Sequence, residues 1–298
     1  VIAGGGTVTL DTTNGGGTPA GAAISFGGTL DATTAVTENL TLVAGTGGNV
    51  IFTGLVGDTR RMGAITISSA LGVTTNGVRA ASLVQTTGQG TTTLNLGDFA
   101  SGTTDEALNT NAATGVSITA KTIAINDAIT TTSTGPVALS ATVNSGGTIT
   151  SLAAGDITSN NFVSIKAVGT ITLAGDVTTN STGAVATREI LIWSTTGNIA
   201  LDGDVTANGV ANQGGTITLR TDAGTINVND VSSTGSTGGT AQFSSTGAIT
   251  QDGSTAITAE GLKVISGGNV TLTNTGNNVT TVAANLSSGS GFFKYTDS

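Results

Sequence analysis

The chain has 298 residues, and 9% charged residues beside 37% hydrophobic residues set it apart from disordered chains, which are rich in charge. It contains no Cys and no His, which excludes disulfides, thiolate metal sites and imidazole chemistry. A net charge of −9 argues against nucleic acid as a partner. No apolar run approaches the ~18 residues of a membrane helix, so we expect no membrane span.

The N-terminal part, Gly27 to Ala70, alternates apolar and polar residues over short stretches with long connections, which predicts short strands. Two segments interrupt this pattern. "GDTRRMG" (Gly57–Gly63) holds two of the nine basic residues and the single Met, so we expect a protruding loop. "LNLGDFASGTTDEALNTNAATG" (Leu94–Gly115) is predicted to be a second loop.

A repeat organises the chain from Gly147 onward. Similar units open at Gly147, Gly169, Gly197, Gly224 and Gly247, at spacings of 22 to 28 residues. Units of this length that vary by a few residues are typical of solenoids, in which strands stay aligned while the connections change in length.

Each unit has a period of two, as in "GTITLAGDVTTN" (Gly169–Asn180). Ile171 and Leu173 fall on one face and Thr170 and Thr172 on the other, which predicts a strand with one buried face. Gly175-Asp176 predicts the next turn. Frequent glycine and the absence of a 3.6-residue pattern argue against helices.

Two all-β folds fit these short strands. An antiparallel sandwich is one alternative. We favour a parallel β-solenoid because the repeat is longer than a hairpin and because matching residues recur at matching positions. A sandwich of this length would also bury more aromatic residues than the 3% present here. We therefore expect one β-solenoid domain over residues 1–298, with about a dozen irregular coils of ~25 residues and inserted loops.

Four aspartates share one position of the unit, each followed by Ile or Val and then by Thr or Ser. They are Asp156, Asp176, Asp204 and Asp230. Stacked coils would align these carboxylates, and oxygen ligands suit Ca²⁺. Against a calcium site, the calcium β-roll pattern is absent, and each turn supplies one carboxylate. We interpret the aspartates as turn residues, keep calcium as the alternative, and expect no cofactor.

Catalysis on a polysaccharide would need carboxylates that face each other across a groove, with aromatic platforms for the sugar. Asp105, Glu106 and Glu260 fall in predicted loops without an evident basic partner. The chain has one Trp, Trp193, and one Tyr, Tyr295. We therefore expect no enzyme. The outward Thr rows resemble an ice-binding face, but coils of variable length would interrupt the flat ladders that such a face needs.

The C-terminal stretch "GFFKYTDS" places three of the chain's nine aromatic residues within four positions, at Phe292, Phe293 and Tyr295. One interpretation is a last coil that closes the core with bulky side chains. The other is an assembly surface, because a solenoid end exposes unpaired strands unless a cap covers it. With Val1 and Ile2 at the opposite terminus, we expect these residues to stack on the next subunit or on a further segment of a longer chain.

"LTLVAGTGGNVIFTGLVG" (Leu40–Gly57), "GDITSNNFVSIKAVGTITLAGDVTT" (Gly155–Thr179) and the C-terminal segment Thr273–Ser298 resemble the β-strand repeats of giant bacterial surface proteins. These repeats are similar in style to filamentous-haemagglutinin adhesins. The resemblance spans nearly the whole chain and carries no catalytic residue. It implies a right-handed β-helix at the cell exterior.

These observations favour a structural protein, the stiff body of an extracellular fibre or cell-surface filament whose coils stack end to end. The runner-up is an adhesin or glycan-binding module, and the third candidate is a polysaccharide-degrading β-helix enzyme. An exposed Trp193 or Phe99 beside carboxylates would favour the binding module.

Overall fold

A computed structural model describes residues 5–99, 105–181, 188–209, 214–234, 238–287 and 291–298. The described residues form β-strands and turns without any helix, and the pairings among the strands are parallel. The fold is thus the predicted parallel β-solenoid. The right-handed sense stays a prediction. The chain divides into two compact units, Val1–Gly147 and Thr148–Ser298, and the single domain over 1–298 also stays a prediction.

The first unit contains β1 (Gly6–Asp11), β2 (Ile24–Phe26), β3 (Glu38–Val43), β4 (Val50–Phe52), β5 (Met62–Ser69), β6 (Val73–Asn76), β7 (Val78–Asn95), β8 (Leu108–Thr110), β9 (Val116–Ile125), β10 (Ile129–Thr131) and β11 (Val137–Ala141).

The second unit contains β12 (Thr148–Ser151), β13 (Ile157–Ser159), β14 (Val163–Ala167), β15 (Ile171–Leu173), β16 (Val177–Thr179), β17 (Glu189–Ser194), β18 (Ile199–Leu201), β19 (Val205–Asn208), β20 (Thr216–Thr221), β21 (Ile226–Val228), β22 (Val231–Thr234), β23 (Thr240–Ser245), β24 (Ile249–Gln251), β25 (Ile257–Ser266), β26 (Val270–Leu272), β27 (Asn278–Leu286) and β28 (Phe293–Tyr295).

Each coil contributes strands to three faces in turn. In the first unit, face A stacks β1, β3, β5, β7, β9 and β11. In the second unit, face A stacks β14, β17, β20, β23, β25 and β27. Face B includes β15, β18 and β21, and face C includes β16, β19 and β22. Six face-A strands in each unit agree with the expected dozen coils.

The interior is built from aligned aliphatic rows, as the sequence predicts. On face B of the second unit, one row stacks residues of the same type from coil to coil, and all of them are buried: Ile149, Ile171, Ile199, Ile226 and Ile249. The neighbouring outward position carries Thr150 and Thr172. A coil therefore buries its apolar side only where another coil lies against it.

The glycines that open the units lie where consecutive coils approach most closely. A Cβ added at Gly224 would lie 2.3 Å from the carbonyl oxygen of Gly197, and one added at Gly247 would lie 2.6 Å from that of Gly224. Real Cβ atoms do not approach a backbone this closely, so only glycine fits. The repeat of glycine thus follows from the stacking of backbone on backbone.

Buried hydroxyl groups complete the same corners. Ser194 Oγ donates to the carbonyl of Gly169 at 2.7 Å, and Thr221 Oγ1 donates to that of Gly197 at 2.6 Å. Ser245 Oγ donates to the carbonyl of Gly224 at 2.6 Å. A buried carbonyl without a partner would destabilise the fold, so these small polar side chains belong to the core.

Both predicted excursions need correction. Met62 is fully buried and begins β5, and Arg61 donates hydrogen bonds to the carbonyls of Ala80 and Asn109. The Gly57–Gly63 segment is therefore packed at its C-terminal end, because the Arg61 guanidinium finds acceptors on later coils. In the Leu94–Gly115 segment, residues 108–110 form β8 and pair with β7 and β10.

Replacement of Gly224 by Ala tests the corner directly. Because the new methyl group meets the Gly197 carbonyl, we expect Gly224→Ala to lower the free energy of unfolding by about 1–3 kcal/mol. Chemical denaturation monitored by circular dichroism measures the change. Gly253→Ala is the matched control, since its added Cβ has no atom within 4 Å, and it should leave stability within about 0.5 kcal/mol. Equal effects of the two substitutions would contradict this account of the corner.

Candidate functional sites

The four predicted aspartates occupy equivalent corners. Asp156, Asp176, Asp204 and Asp230 each directly precede a face-C strand, respectively β13, β16, β19 and β22. The backbone also links them, because the amide that follows each of the first three donates to the carbonyl of the next aspartate at 2.7–2.9 Å. The four residues therefore form one continuous row along the second unit, the aspartate row.

The carboxylates of the aspartate row hold the next corner. Asp156 Oδ1 accepts from the amide of Asp176 at 2.8 Å, and Asp176 Oδ1 accepts from the amide of Asp204 at 2.8 Å. Asp230 accepts from the amide of Ala256, where the series of aspartates ends. Each of these bonds crosses from one coil to the next, so the carboxylates have a structural role beyond their own turn.

Stacking places like charges side by side at Asp204. Its burial raises the pKa of the carboxyl above the usual value, and the neighbouring charges of Asp230 and Asp176 raise it further. Its Oδ1 also accepts from Asn229 Nδ2 at 3.0 Å. Among the described residues, no three acidic side chains cluster in a way that would hold a metal ion. The calcium alternative stays a prediction.

We expect Asp204→Asn to stabilise the chain at neutral pH. Because the folded-state pKa of Asp204 is raised, its contribution to stability is full below the unfolded pKa and is lost as pH rises through the folded pKa. An amide removes the repulsion and still accepts from Asn229. Thermal melting at pH 7 and pH 3 should show a higher melting temperature for the variant at pH 7 and a smaller difference at pH 3.

Asp202→Asn is the control, because it also removes one charge two residues away, from an exposed position. A gain as large in this control would show that overall charge, rather than the aspartate row, sets the stability.

The acidic residues predicted for catalysis lie in separate structural settings. Glu106 is only 6% exposed and accepts from Asn109 Nδ2 at 2.7 Å, and its burial raises the pKa of the carboxyl. Asp105 accepts from the amide of Phe99 at 3.0 Å. Glu260, in the second unit, accepts from the amide of Gly238. Each of the three carboxylates therefore supports local structure.

Glu106 also belongs to a buried charged cluster that the sequence analysis missed. Arg79 is 6% exposed and stacks its guanidinium 3.7 Å from the ring centroid of Phe99. Arg61 Nη2 donates to Asn109 Oδ1 at 2.6 Å, and burial and the charge of Arg79 lower its pKa, while Glu106 opposes that shift. Phe99 is thus buried under Arg79 and is not an exposed platform. The missed signal is the concentration of basic residues between 60 and 79.

The predicted assembly residues divide into two groups. Phe293 and Tyr295 lie in β28, continue the inward rows of Val270 and Leu272, and stack on each other at 6.3 Å between ring centroids. Phe292 is 41% exposed and contacts the Lys294 ammonium, 4.8 Å from its ring centroid. Val1 and Ile2 lie outside the described residues.

Trp193 is half-exposed on face A and lies between two cations from the adjacent coils. The Arg220 guanidinium is 4.9 Å and the Lys166 ammonium 5.7 Å from its ring centroid. Its indole N–H donates to Asp222 Oδ2 at 3.0 Å, and Arg220 Nε pairs with Asp222 Oδ1 at 2.6 Å. The sequence identified Trp193 but not these partners, which come from the neighbouring coils.

A shallow groove of about 580 Å³ begins at Arg220 and crosses face A of the second unit. Arg220, Asp222, Gln242, Ser244 and Lys263 provide its polar groups, and the groove lies within the volume range of known ligand sites. An indole and a carboxylate at its margin match the feature that distinguishes a binding module from a plain fibre.

Comparison of the chain with protein-family models, with curated proteins and with solved structures found no match. Across the part of the chain that the structure describes, no helix has the length and apolar character needed to span a membrane.

Proposed function

We propose that the chain is a structural β-solenoid that forms the body of an extracellular fibre or cell-surface filament by end-to-end stacking of coils. The observation that carries this proposal is the uncovered apolar row of β1. Val8 and Leu10 are each 38% exposed, whereas their partners in the next coil, Leu40 and Leu42, are at most 1% exposed. The row that forms the core elsewhere is thus open to solvent at β1.

The last face-A strand of the second unit is open in the same way. Val282 and Leu286 of β27 are half-exposed and Ala284 is exposed, whereas their partners on β25 are buried. Among the described residues, β1 pairs only with β3, and this part of β27 pairs only with β25. Each end therefore offers a strand edge with an apolar row beside it.

Neither edge carries the features that normally prevent association. Soluble proteins protect exposed edge strands with Lys, Pro, bulges or a covering segment. β1 contains neither Lys nor Pro, and β27 contains no charged residue. Such strands are suited to pairing with a further coil.

The side chains at the two open ends are compatible. β2 presents Ile24 and Phe26, and Phe26 stacks on Phe52 with 4.9 Å between ring centroids. β28 presents Phe293 and Tyr295 on the same face of the coil. We infer that a second copy places Tyr295 over Phe26 and extends the existing aromatic stack. Further coils of a longer chain would cover these ends in the same manner.

Charged substitutions in the inward row of β1 test the assembly. We expect Val8→Lys combined with Leu10→Lys to abolish filaments, because two ammonium groups would be buried at the joint without partners. Negative-stain electron microscopy and sedimentation velocity measure assembly. Thr7→Lys combined with Thr9→Lys is the matched control, since these positions alternate with Val8 and Leu10 along β1.

The control should assemble more than the inward variant. Filaments of the same length and number from both variants, or a monomeric wild-type chain at high concentration, would refute end-to-end stacking.

The groove beside Arg220 favours a second candidate function, the binding module. It is the candidate that the half-exposed Trp193 beside Asp222 supports. A location outside the cell fits both candidates and stays a proposal. The expectation that the chain is no enzyme also stays a prediction.

A further inference from the structure

We propose that the face-A groove between Arg220 and Lys263 binds an acidic oligosaccharide, a chain of sugars that carry carboxylate groups. This proposal rests on the second candidate function and names its ligand class. It is independent of end-to-end assembly, because the groove lies within the second unit and away from β1.

Arg220 is held in position before any ligand arrives. Its Nε is fixed by Asp222 at 2.6 Å, and its guanidinium stacks against Trp193, whose own N–H is anchored to the same carboxylate. Within the described residues, the two Nη atoms of Arg220 have no hydrogen-bond partner. The end of the guanidinium is therefore free to donate two parallel hydrogen bonds to a carboxylate.

Lys263 provides a second cationic group on the far side of the groove. It is exposed on β25, and the intervening strand β23 carries Gln242 and Ser244. Two strand spacings separate β20 from β25, about 10 Å in all. In the described structure, the side chains of Lys263 and Gln242 form no hydrogen bond with the protein. Both can therefore bind a ligand that spans the groove.

The local charge opposes the charge of the whole chain. The chain has nine basic residues and a net charge of −9, yet Lys166, Arg220 and Lys263 all project from face A of the second unit. Asp222 is the one acidic side chain that lines the groove in the described structure, and it is paired with Arg220. The groove therefore offers unpaired positive charge to an anionic ligand.

The remaining lining favours a sugar over other anionic polymers. Thr218, Ser244, Thr246 and Ser287 supply hydroxyl groups, which can exchange hydrogen bonds with sugar hydroxyls. A nucleic acid would bring dense negative charge to an acidic protein, and repulsion would oppose it. Carboxylated sugars carry charge more sparsely, and two of their carboxylates would suit Arg220 and Lys263.

The single Trp of the chain makes the groove directly observable. Because Trp193 contacts Arg220, a ligand that engages the guanidinium should change the indole fluorescence. We would titrate the full chain with tetragalacturonate at low salt and, in parallel, with its fully methyl-esterified form, which is neutral. We expect a saturable change with the acidic form alone, weakened by added salt.

Lys263→Gln should weaken this binding about tenfold or more, the loss expected for one charge-assisted contact. Lys294→Gln, which removes an exposed Lys from β28, is the matched control and should bind as the wild type does. Circular dichroism confirms that both variants fold.

Each other outcome overturns the acidic-sugar assignment. Equal binding of the methyl ester would leave a binding module for neutral glycans. Equal binding of tetraglutamate would assign the groove to acidic peptides. No fluorescence change, or a change that Lys263→Gln leaves intact, would show that the groove does not bind this ligand.

Discussion

The structure depends on the close approach of one coil's backbone to the next at the corners. At Gly197, Gly224 and Gly247, an added Cβ would fall within 2.6 Å of the backbone of the preceding coil. This spacing lets the aliphatic rows stack in register and lets every face form parallel ladders. The high glycine content thus reflects a packing requirement. The conformational freedom that glycine brings to the unfolded chain is the corresponding penalty.

The same corners explain how a chain with few charges satisfies its polar backbone. Ser and Thr side chains inside the solenoid donate to the corner carbonyls, and the aspartate row accepts amides of the following coil. Both devices act between coils, so each one ties a turn to its neighbour. The charge repulsion at Asp204 shows the limit of this arrangement, because stacking in register also brings like charges together.

Local pattern predicted the fold well. The alternation in Gly169–Asn180 placed Ile171 and Leu173 inside, and the Gly175-Asp176 turn leads into β16 as expected. The sites were harder, because their partners lie one coil away and the coils vary in length. The contact of Trp193 with Arg220 depends on an offset of 27 residues that the glycine spacings alone leave ambiguous. Met62 was assigned to a loop because two arginines precede it, although Arg61 packs onto later coils.

The most direct test of the account is the pairing of consecutive coils, and the chain contains no Cys to interfere. Thr172 of β15 and Ala200 of β18 are paired, 28 residues apart, at outward positions. Neighbouring strands lie about 4.8 Å apart, within disulfide reach. Oxidation of the Thr172→Cys/Ala200→Cys variant should give a rapid intramolecular disulfide, detected by mass spectrometry. Thr172→Cys/Asp202→Cys, two residues out of register, should give little. Equal crosslinking of both pairs, or none in the first, would contradict parallel in-register coils.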